Sequence, residues 1–397
     1  MHKSAGIYIH IPFCERKCTY CNFNTTDYFE DLAARYVNAV SREISYWGKA
    51  LAEKNRGGGR VAVDTIYFGG GTPSIIEAEQ IASLIEACRA AFDVDQDAEI
   101  TIEINPATLS RKKIEAWLQS GVTRASVGVQ SFIDRELEAL SRTHTSEDAR
   151  RTIDNLREAG FQNISIDLIA GLPEQALRDW EFNLREALNI QPEHLSLYLL
   201  EVKEGTQLYA QLKRGQRPHP DDDLSAEMYE MIVEATRDAG YEHYEISNFA
   251  FIKGGERENG DEVNPFRSKH NVKYWTAAPF YGMGCGAHSF DTRARWINRM
   301  QTEKYIADVA SRGHAVTERR ELSREDRAAE ALFMGLRLSE GISLAEFRRE
   351  FGLDVLARYK NDLPRLAEAG LIEIKCDRLI LTERGRLLSN EVFVCFV

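Results

Sequence analysis

The chain reads as an α/β protein: a partial (β/α)6 barrel of the TIM type, followed by a C-terminal α+β, winged-helix-like domain. Three observations predict this. Six apolar runs alternate with amphipathic helical stretches in the first half, and repeated βα units imply a parallel sheet with helices outside it. Polar residues cluster where those runs end, as in barrels whose chemistry sits at the strand C-termini. From residue 320 the pattern changes to three helices and a hairpin.

In chain order, residues 7–12 form the first strand and lead into a loop carrying Cys14, Cys18 and Cys21. Tyr36, Val40, Ile44, Trp47 and Leu51 recur at three- and four-residue spacing, which marks an amphipathic helix. The glycine-rich residues 55–59 end it as a loop. A strand over 63–68 runs into Gly69-Gly70-Gly71-Thr72-Pro73, and a helix covers 81–92. Further strands fall at 99–106, 124–131, 163–171 and 194–200, with helices between, one of them over 146–160. Residues 254–267 read as a loose polar loop. It sharpens into His270-Asn271-Val272-Lys273-Tyr274-Trp275, on composition a turn and then a core strand with two aromatics.

Past residue 321, Ser323-Arg324-Glu325-Asp326 resembles a capping box, with Ala329, Leu332, Phe333 and Leu336 as the apolar stripe behind it. Helices over 344–351 and 355–369 follow, the last ended by Gly370. Residues 371–376 and 379–382 form a hairpin. The expected division is a barrel over 1–250, a connecting region over 251–319 and a C-terminal domain over 320–397.

Composition narrows the function classes. A chain of 397 residues is long enough for two or three domains. A net charge of −12 is a poor start for binding nucleic acid. Winged helices often bind DNA, but acidic and basic residues nearly balance from 320 onward, which leaves no phosphate-binding surface and favours packing or partner docking. No run of about 18 apolar residues exists, so no transmembrane segment is expected. Residues 1–6 are too short for a signal peptide. Cys88, Cys285, Cys376 and Cys395 are scattered, do not make a disulfide framework, and fit a reducing cytoplasm.

The cysteine loop carries the strongest chemistry. Three thiolates spaced C-x3-C-x2-C can hold three irons of a 4Fe–4S cluster. The fourth iron is then open to the amino and carboxylate groups of S-adenosylmethionine (SAM). A structural zinc site is the alternative, and it usually wants a fourth Cys or His. Gly69, Gly70 and Gly71 allow close approach of a ligand, or are simply a turn. Glu103, Gln130, Arg142 and Asp167 each have an ordinary structural reading. Together they are what SAM needs: a cation for its carboxylate, carboxylates for its ribose hydroxyls, and backbone groups for its amino acid end. His270 could be a heme axial ligand, with Tyr274 and Trp275 as flat apolar walls, or a core residue; Lys273 reads as surface charge.

Tyr8-x-His10-Ile11-Pro12-Phe13-Cys14-x3-Cys18-x2-Cys21, Gly69-Gly70-Gly71-Thr72-Pro73, Gly128-Val129-Gln130-Ser131 and Asp167-Leu168-Ile169-Ala170-Gly171-Leu172-Pro173 occur in that order. In these the chain resembles the radical SAM family of oxygen-independent coproporphyrinogen III oxidases, and within it the HemW-type heme chaperones. The resemblance implies a 4Fe–4S cluster on Cys14, Cys18 and Cys21. It implies SAM contacts from Tyr8, Tyr20, Gly70, Gly71, Thr72 and Glu103. Gln130, Arg142 and Asp167 would touch the same SAM or a second one, and Ala287 and His288 would lie near an adenosine. The chaperone branch carries a His-Asn-x-x-Tyr-Trp motif associated with heme, which matches His270 to Trp275. The oxidases have a further cysteine where this chain has Phe23, and a long N-terminal segment where 13 residues precede Cys14. The resemblance therefore implies heme as ligand and apo-hemoproteins as clients rather than decarboxylation of coproporphyrinogen III, which stays the alternative.

Overall fold

The structure is a computed structural model, and it describes residues 4–54, 58–106, 109–253 and 263–396. Most of the expected loop over 55–59 and much of that over 254–267 lie outside the described residues.

The six expected strands are present: β1 (Ala5–Ile11), β2 (Ala62–Gly70), β3 (Asp93–Ile104), β4 (Arg124–Gln130), β5 (Ile164–Ala170) and β6 (His194–Leu199). They are neighbours in that order and all parallel. Successive side chains of a strand point to opposite faces, and here the two faces differ in chemistry. One row, with Ile7, Ile9, Ile66, Phe68, Ile100, Ile102, Val127, Ile166 and Leu197, belongs to the main core. The other row is polar: Tyr8 and His10, Thr65 and Tyr67, Thr101 and Glu103, Arg124 and Ser126, Ser165 and Asp167, His194 and Ser196. A sheet with polar residues along its concave side is built to face a ligand rather than to fill with branched aliphatics.

The sheet continues past these six. Phe280–Met283 lies parallel beside β1, and His288–Phe290, Ala294–Asn298 and Val316–Glu321 extend that side antiparallel. A hairpin of Tyr241–Glu245 and Asn248–Phe251 extends the other side, giving twelve strands. Much of the region 251–319 is thus continuous with the main sheet, and Trp296 from it stacks on Trp47 with ring centroids 5.3 Å apart. The helix Glu30–Lys54 buries Tyr36, Val40, Ile44, Trp47 and Leu51, the five residues its periodicity selects.

The His-Asn-x-x-Tyr-Trp stretch is not a strand but the helix Lys269–Trp275. Ser268 caps it, and the Glu99 carboxylate accepts from the backbone N–H groups of Lys269 and His270, both at 3.1 Å. Satisfying orphan first-turn donors from β3 outweighs the strand preference of the two aromatics.

The C-terminal domain has its own core, including Leu332, Phe347, Leu366, Leu379 and Val392. The expected capping box forms between Ser323 and Asp326 at the head of Arg324–Gly335. The expected helix over 355–369 is instead two, Val355–Arg358 and Asp362–Glu368. Pro364 has no N–H for a continuous helix and suits a first turn. The hairpin Ile372–Lys375 and Arg378–Leu381 turns through Cys376 and Asp377, both at positive φ (48° and 65°), the signature of a type I′ turn. Arg337 joins the two domains: it approaches the buried Glu245 at 3.5 Å and lies 4.2 Å over the Trp275 ring.

Candidate functional site

The loop after β1 is closed at its base by a short parallel pairing of Phe13–Cys14 with Thr26–Asp27. It is tied to neighbouring helix ends by the Thr19 N–H on Leu140 O (3.1 Å), just past the helix Asp134–Ala139, and the N–H of Leu208, in the helix Gln207–Lys213, on Thr19 O (2.8 Å). Cys14, Cys18 and Cys21 thereby share one wall of a cavity of about 450 Å³ at the C-terminal ends of the strands. All three thiols are free. Burial pushes Cys14 up to about 11, against a 3.5 Å hydrogen bond from Thr72 Oγ1, and raises Cys21 as well. Thiols raised in this way are poor nucleophiles on their own, and a bound metal would hold them as thiolates.

Among the described residues, no three His, Cys, Asp or Glu side chains converge to hold one metal ion. A zinc ion needs its ligands on a single centre. A cluster takes each thiolate on a different iron, so three thiols spread along one wall fit it.

The opposite walls bring together most of the expected ligand residues. The Glu103 carboxylate accepts from Tyr67 Oη at 2.9 Å and from the Gly70 N–H at 3.1 Å. Burial raises it to about 7, with Asp167 adding to the rise. Asp167 accepts from Ser126 Oγ at 3.2 Å to both oxygens, and burial raises it too. Arg142 donates to Gly128 O at 2.8 Å and reaches Cys18 Sγ at 3.6 Å, while its buried Nε has no partner among the described residues. Gln130 sits at positive φ (67°), which ends β4 and turns the chain at the cavity. Gly70 has φ of 115°, and a Cβ there would lie 2.5 Å from the His10 ring; one on Gly71 would lie 2.7 Å from Pro12 O. The glycines are thus needed for the wall itself. Tyr20 and Thr72 also line the cavity. Tyr8 lies one layer beneath it, stacked on Tyr67 with centroids 6.2 Å apart.

Two groups of expected residues lie elsewhere. Ala287 is buried and His288 is exposed on its strand; neither lines the cavity. Their motif instead braces the cysteine loop from behind. Asn24 Nδ2 donates to Cys285 O at 3.2 Å, the Cys285 N–H donates to Tyr36 Oη at 2.9 Å, and Tyr36 donates to His10 O at 2.7 Å. His270 is 1% exposed and sits at the other end of the sheet. Its Nδ1 is 2.8 Å from Thr65 Oγ1, its Nε2 is 2.9 Å from Tyr274 Oη, and its ring stacks on Tyr67. Lys273 is not surface charge: it is buried, donates to Ser4 O and pairs with Asp64 at 2.5 Å.

The sequence reading missed Arg16, Lys17, Ser126, Tyr198 and Lys203, which also line the cavity. The signal for Ser126 and Tyr198 was available, since both continue the polar alternation of β4 and β6. Arg16, Lys17 and Lys203 lie on loops and carry no such pattern.

A sheet of six parallel strands with a thiol-lined cavity at its C-terminal ends is the architecture of a radical SAM protein, and residues 8–187 match the radical SAM superfamily. Residues 322–388 match the HemN C-terminal domain. The chain is 35% identical over 391 residues to the heme chaperone HemW of Bacillus subtilis (strain 168), covering 98% of each. It is 33% identical over 401 residues to the mitochondrial radical S-adenosyl methionine domain-containing protein 1 of Bos taurus, covering 98% of this chain and 84% of that one. Its fold is similar to coproporphyrinogen III oxidase (HemN) of Escherichia coli, with a TM-score of 0.83 at 24% identity, over 100% of this chain and 90% of the other. The chain belongs to the HemW family of radical SAM proteins. No helix among its described residues is long and apolar enough to cross a membrane.

Proposed function

We propose that this protein is a cytoplasmic heme chaperone that binds heme and passes it to apo-hemoproteins, with a SAM-coordinated 4Fe–4S cluster in the cavity. The observation that carries the reading is full-length relationship to heme chaperones in a chain that keeps three free thiols on one cavity wall. Cys14, Cys18 and Cys21 would hold the cluster. When bound and reduced, such a cluster supplies a low-potential electron to a coordinated sulfonium. The chain's own residues bind and orient. Arg142, whose Nε has no partner among the described residues, would take the ligand's carboxylate, the glycine wall would let its backbone-like end approach, and Glu103 and Asp167 would accept from hydroxyls.

Heme is assigned to His270, Tyr274 and Trp275. With both ring nitrogens hydrogen-bonded, His270 reaches an iron only after the helix Lys269–Trp275 loosens from the base of the sheet. Heme capture is therefore linked to a local opening, which lowers the apparent affinity by the fraction open.

Hemin titration is expected to give a shifted Soret band, and heme-loaded protein to transfer its heme to apo-myoglobin. Anaerobic incubation with coproporphyrinogen III, SAM and a reductant is expected to leave the substrate unchanged; catalytic formation of protoporphyrinogen IX would replace the chaperone reading with the oxidase one. Arg142→Ala is expected to weaken SAM binding by about 1.5–3 kcal/mol, the value of a charge-assisted hydrogen bond. Equal calorimetric affinities for variant and wild type would move SAM away from this wall.

A further inference from the structure

The polar rows beneath the cavity contain one cation, Arg124, that the cluster and SAM assignments leave unused. It is 1% exposed, at the start of β4. Its Nη2 donates to His194 Nδ1 at 3.1 Å, and its Nε has no partner among the described residues. No carboxylate among them pairs with it. Burying a lone guanidinium costs several kcal/mol unless something compensates it.

His194 does not share the charge. A guanidinium only donates, so Nδ1 accepts from Arg124 and, at 2.8 Å, from Ser165 Oγ, and the neutral imidazole carries its proton on Nε2, 2.8 Å from Tyr244 Oη. Burial and Arg124 both hold its pKa well down.

The compensating charges lie one inward step above. Arg124 is paired in register with Thr101, two residues before Glu103, and stands two residues before Ser126, which bonds Asp167. Two residues along a strand are about 6–7 Å, within reach of a strong charge interaction in a buried site. Arg124 acts on both carboxylates in the direction that favours ionisation.

We propose that Arg124 is a positioning residue for the cavity, whose sealed positive charge offsets part of the burial of Glu103 and Asp167 and so favours the carboxylate forms that accept from the hydroxyl and ammonium groups of a ligand. The proposal rests on the cavity being the SAM site.

The other groups facing Glu103 are Tyr67, Asp167 and the Gly70 N–H, with Tyr8, Tyr198 and Tyr274 within electrostatic reach. Asp167 is faced by Ser126, Ser165, Ser196, Tyr67 and Tyr198. None of these is a cation. Arg142, Arg16, Lys17 and Lys203 line the same cavity, but Arg142 is engaged by Gly128 O and Cys18 Sγ, and Arg124 is the cation among the largest influences on both carboxylates. A carboxylate is ionised above its pKa. Removing the cation moves the midpoint up, by about one unit or more for a close opposite charge, and weak binding then extends to higher pH.

The test is calorimetric SAM binding to cluster-reconstituted protein from about pH 6.5 to about pH 9, with wild type, Arg124→Met and Arg124→Lys. Arg124→Met is expected to bind about tenfold or more weakly near neutrality, the gap closing to about twofold at the alkaline end. Arg124→Lys, which keeps the charge, is expected to stay within about threefold of wild type throughout. A gap that does not change with pH, or a lysine variant as weak as the methionine one, overturns the proposal, because a merely structural role predicts both. If Arg124→Met does not fold, Arg124→Met/Glu103→Gln, which removes one charge of each sign, is expected to restore folding; failure to do so also overturns it. Wild type that binds no SAM at all removes the cavity reading and this proposal together, whereas a pH-independent gap removes only the proposal.

Discussion

Protein with Cys14, Cys18 and Cys21 all replaced by alanine is expected to carry no iron after anaerobic reconstitution, against roughly four irons per wild-type chain. The three thiols lie on a loop whose two ends are paired at Phe13–Cys14 and Thr26–Asp27, so the loop stays in place without them. The variant is thus expected to fold and lose the broad visible absorbance of a thiolate-ligated cluster. The remaining cysteines give the control. Cys376 is in an exposed turn and Cys395 is far along the C-terminal domain; neither lines the cavity. Alanine at both is expected to leave the iron content unchanged. Full iron in the triple variant, measured by colorimetric assay on folded protein, would place the cluster elsewhere.

The strands and their C-terminal cluster of polar groups were legible because two periodicities coincide in each run. Residues 164–168, for example, alternate Ile, Ser, Ile, Asp, Leu, and the structure sends the aliphatics to the core and the polar pair to the concave side. The same alternation contained Arg124 and His194, but a lone polar residue at a strand start reads as an ordinary boundary until the register shows what stands above it. The helix at 269–275 was illegible for a different reason. Tyr274 and Trp275 favour a strand, and the group that decides otherwise, Glu99, is about 170 residues away in sequence. Ala287 and His288 came from the family resemblance alone, and the structure shows a structural use for their motif: Gly284, with φ of 99°, makes room for His10 and Tyr36 behind the loop. The cysteines, glycines and carboxylates could be placed together at one cavity from sequence because they fall on, or just after, the later part of polar-alternating strands. The loop cations at its mouth could not.

Replacing Tyr274 by Phe is expected to make the protein less stable yet a better binder of hemin. An iron needs an unprotonated ring nitrogen free of other partners, and His270 has none free while Thr65 and Tyr274 hold both sides. Protons do not compete, because burial, helped by Lys273, lowers its pKa to about 3 and leaves the ring neutral at working pH. Tyr274→Phe removes only the hydroxyl. The ring keeps its edge contacts with His270 and Phe280, at 5.2 and 4.6 Å between centroids. Nε2 is then buried without a partner, which costs about 1–3 kcal/mol and should appear as a lower urea midpoint with an unchanged slope. The same loss shifts the local equilibrium toward the loosened helix, so hemin affinity is expected to rise, by up to about tenfold for each 1.4 kcal/mol that favours the competent state. His270→Ala should lose both the stability and the shifted Soret band. If Tyr274→Phe is destabilised but binds hemin as wild type does, and His270→Ala also binds normally, His270 is a structural plug at the base of the sheet and heme is held by other residues.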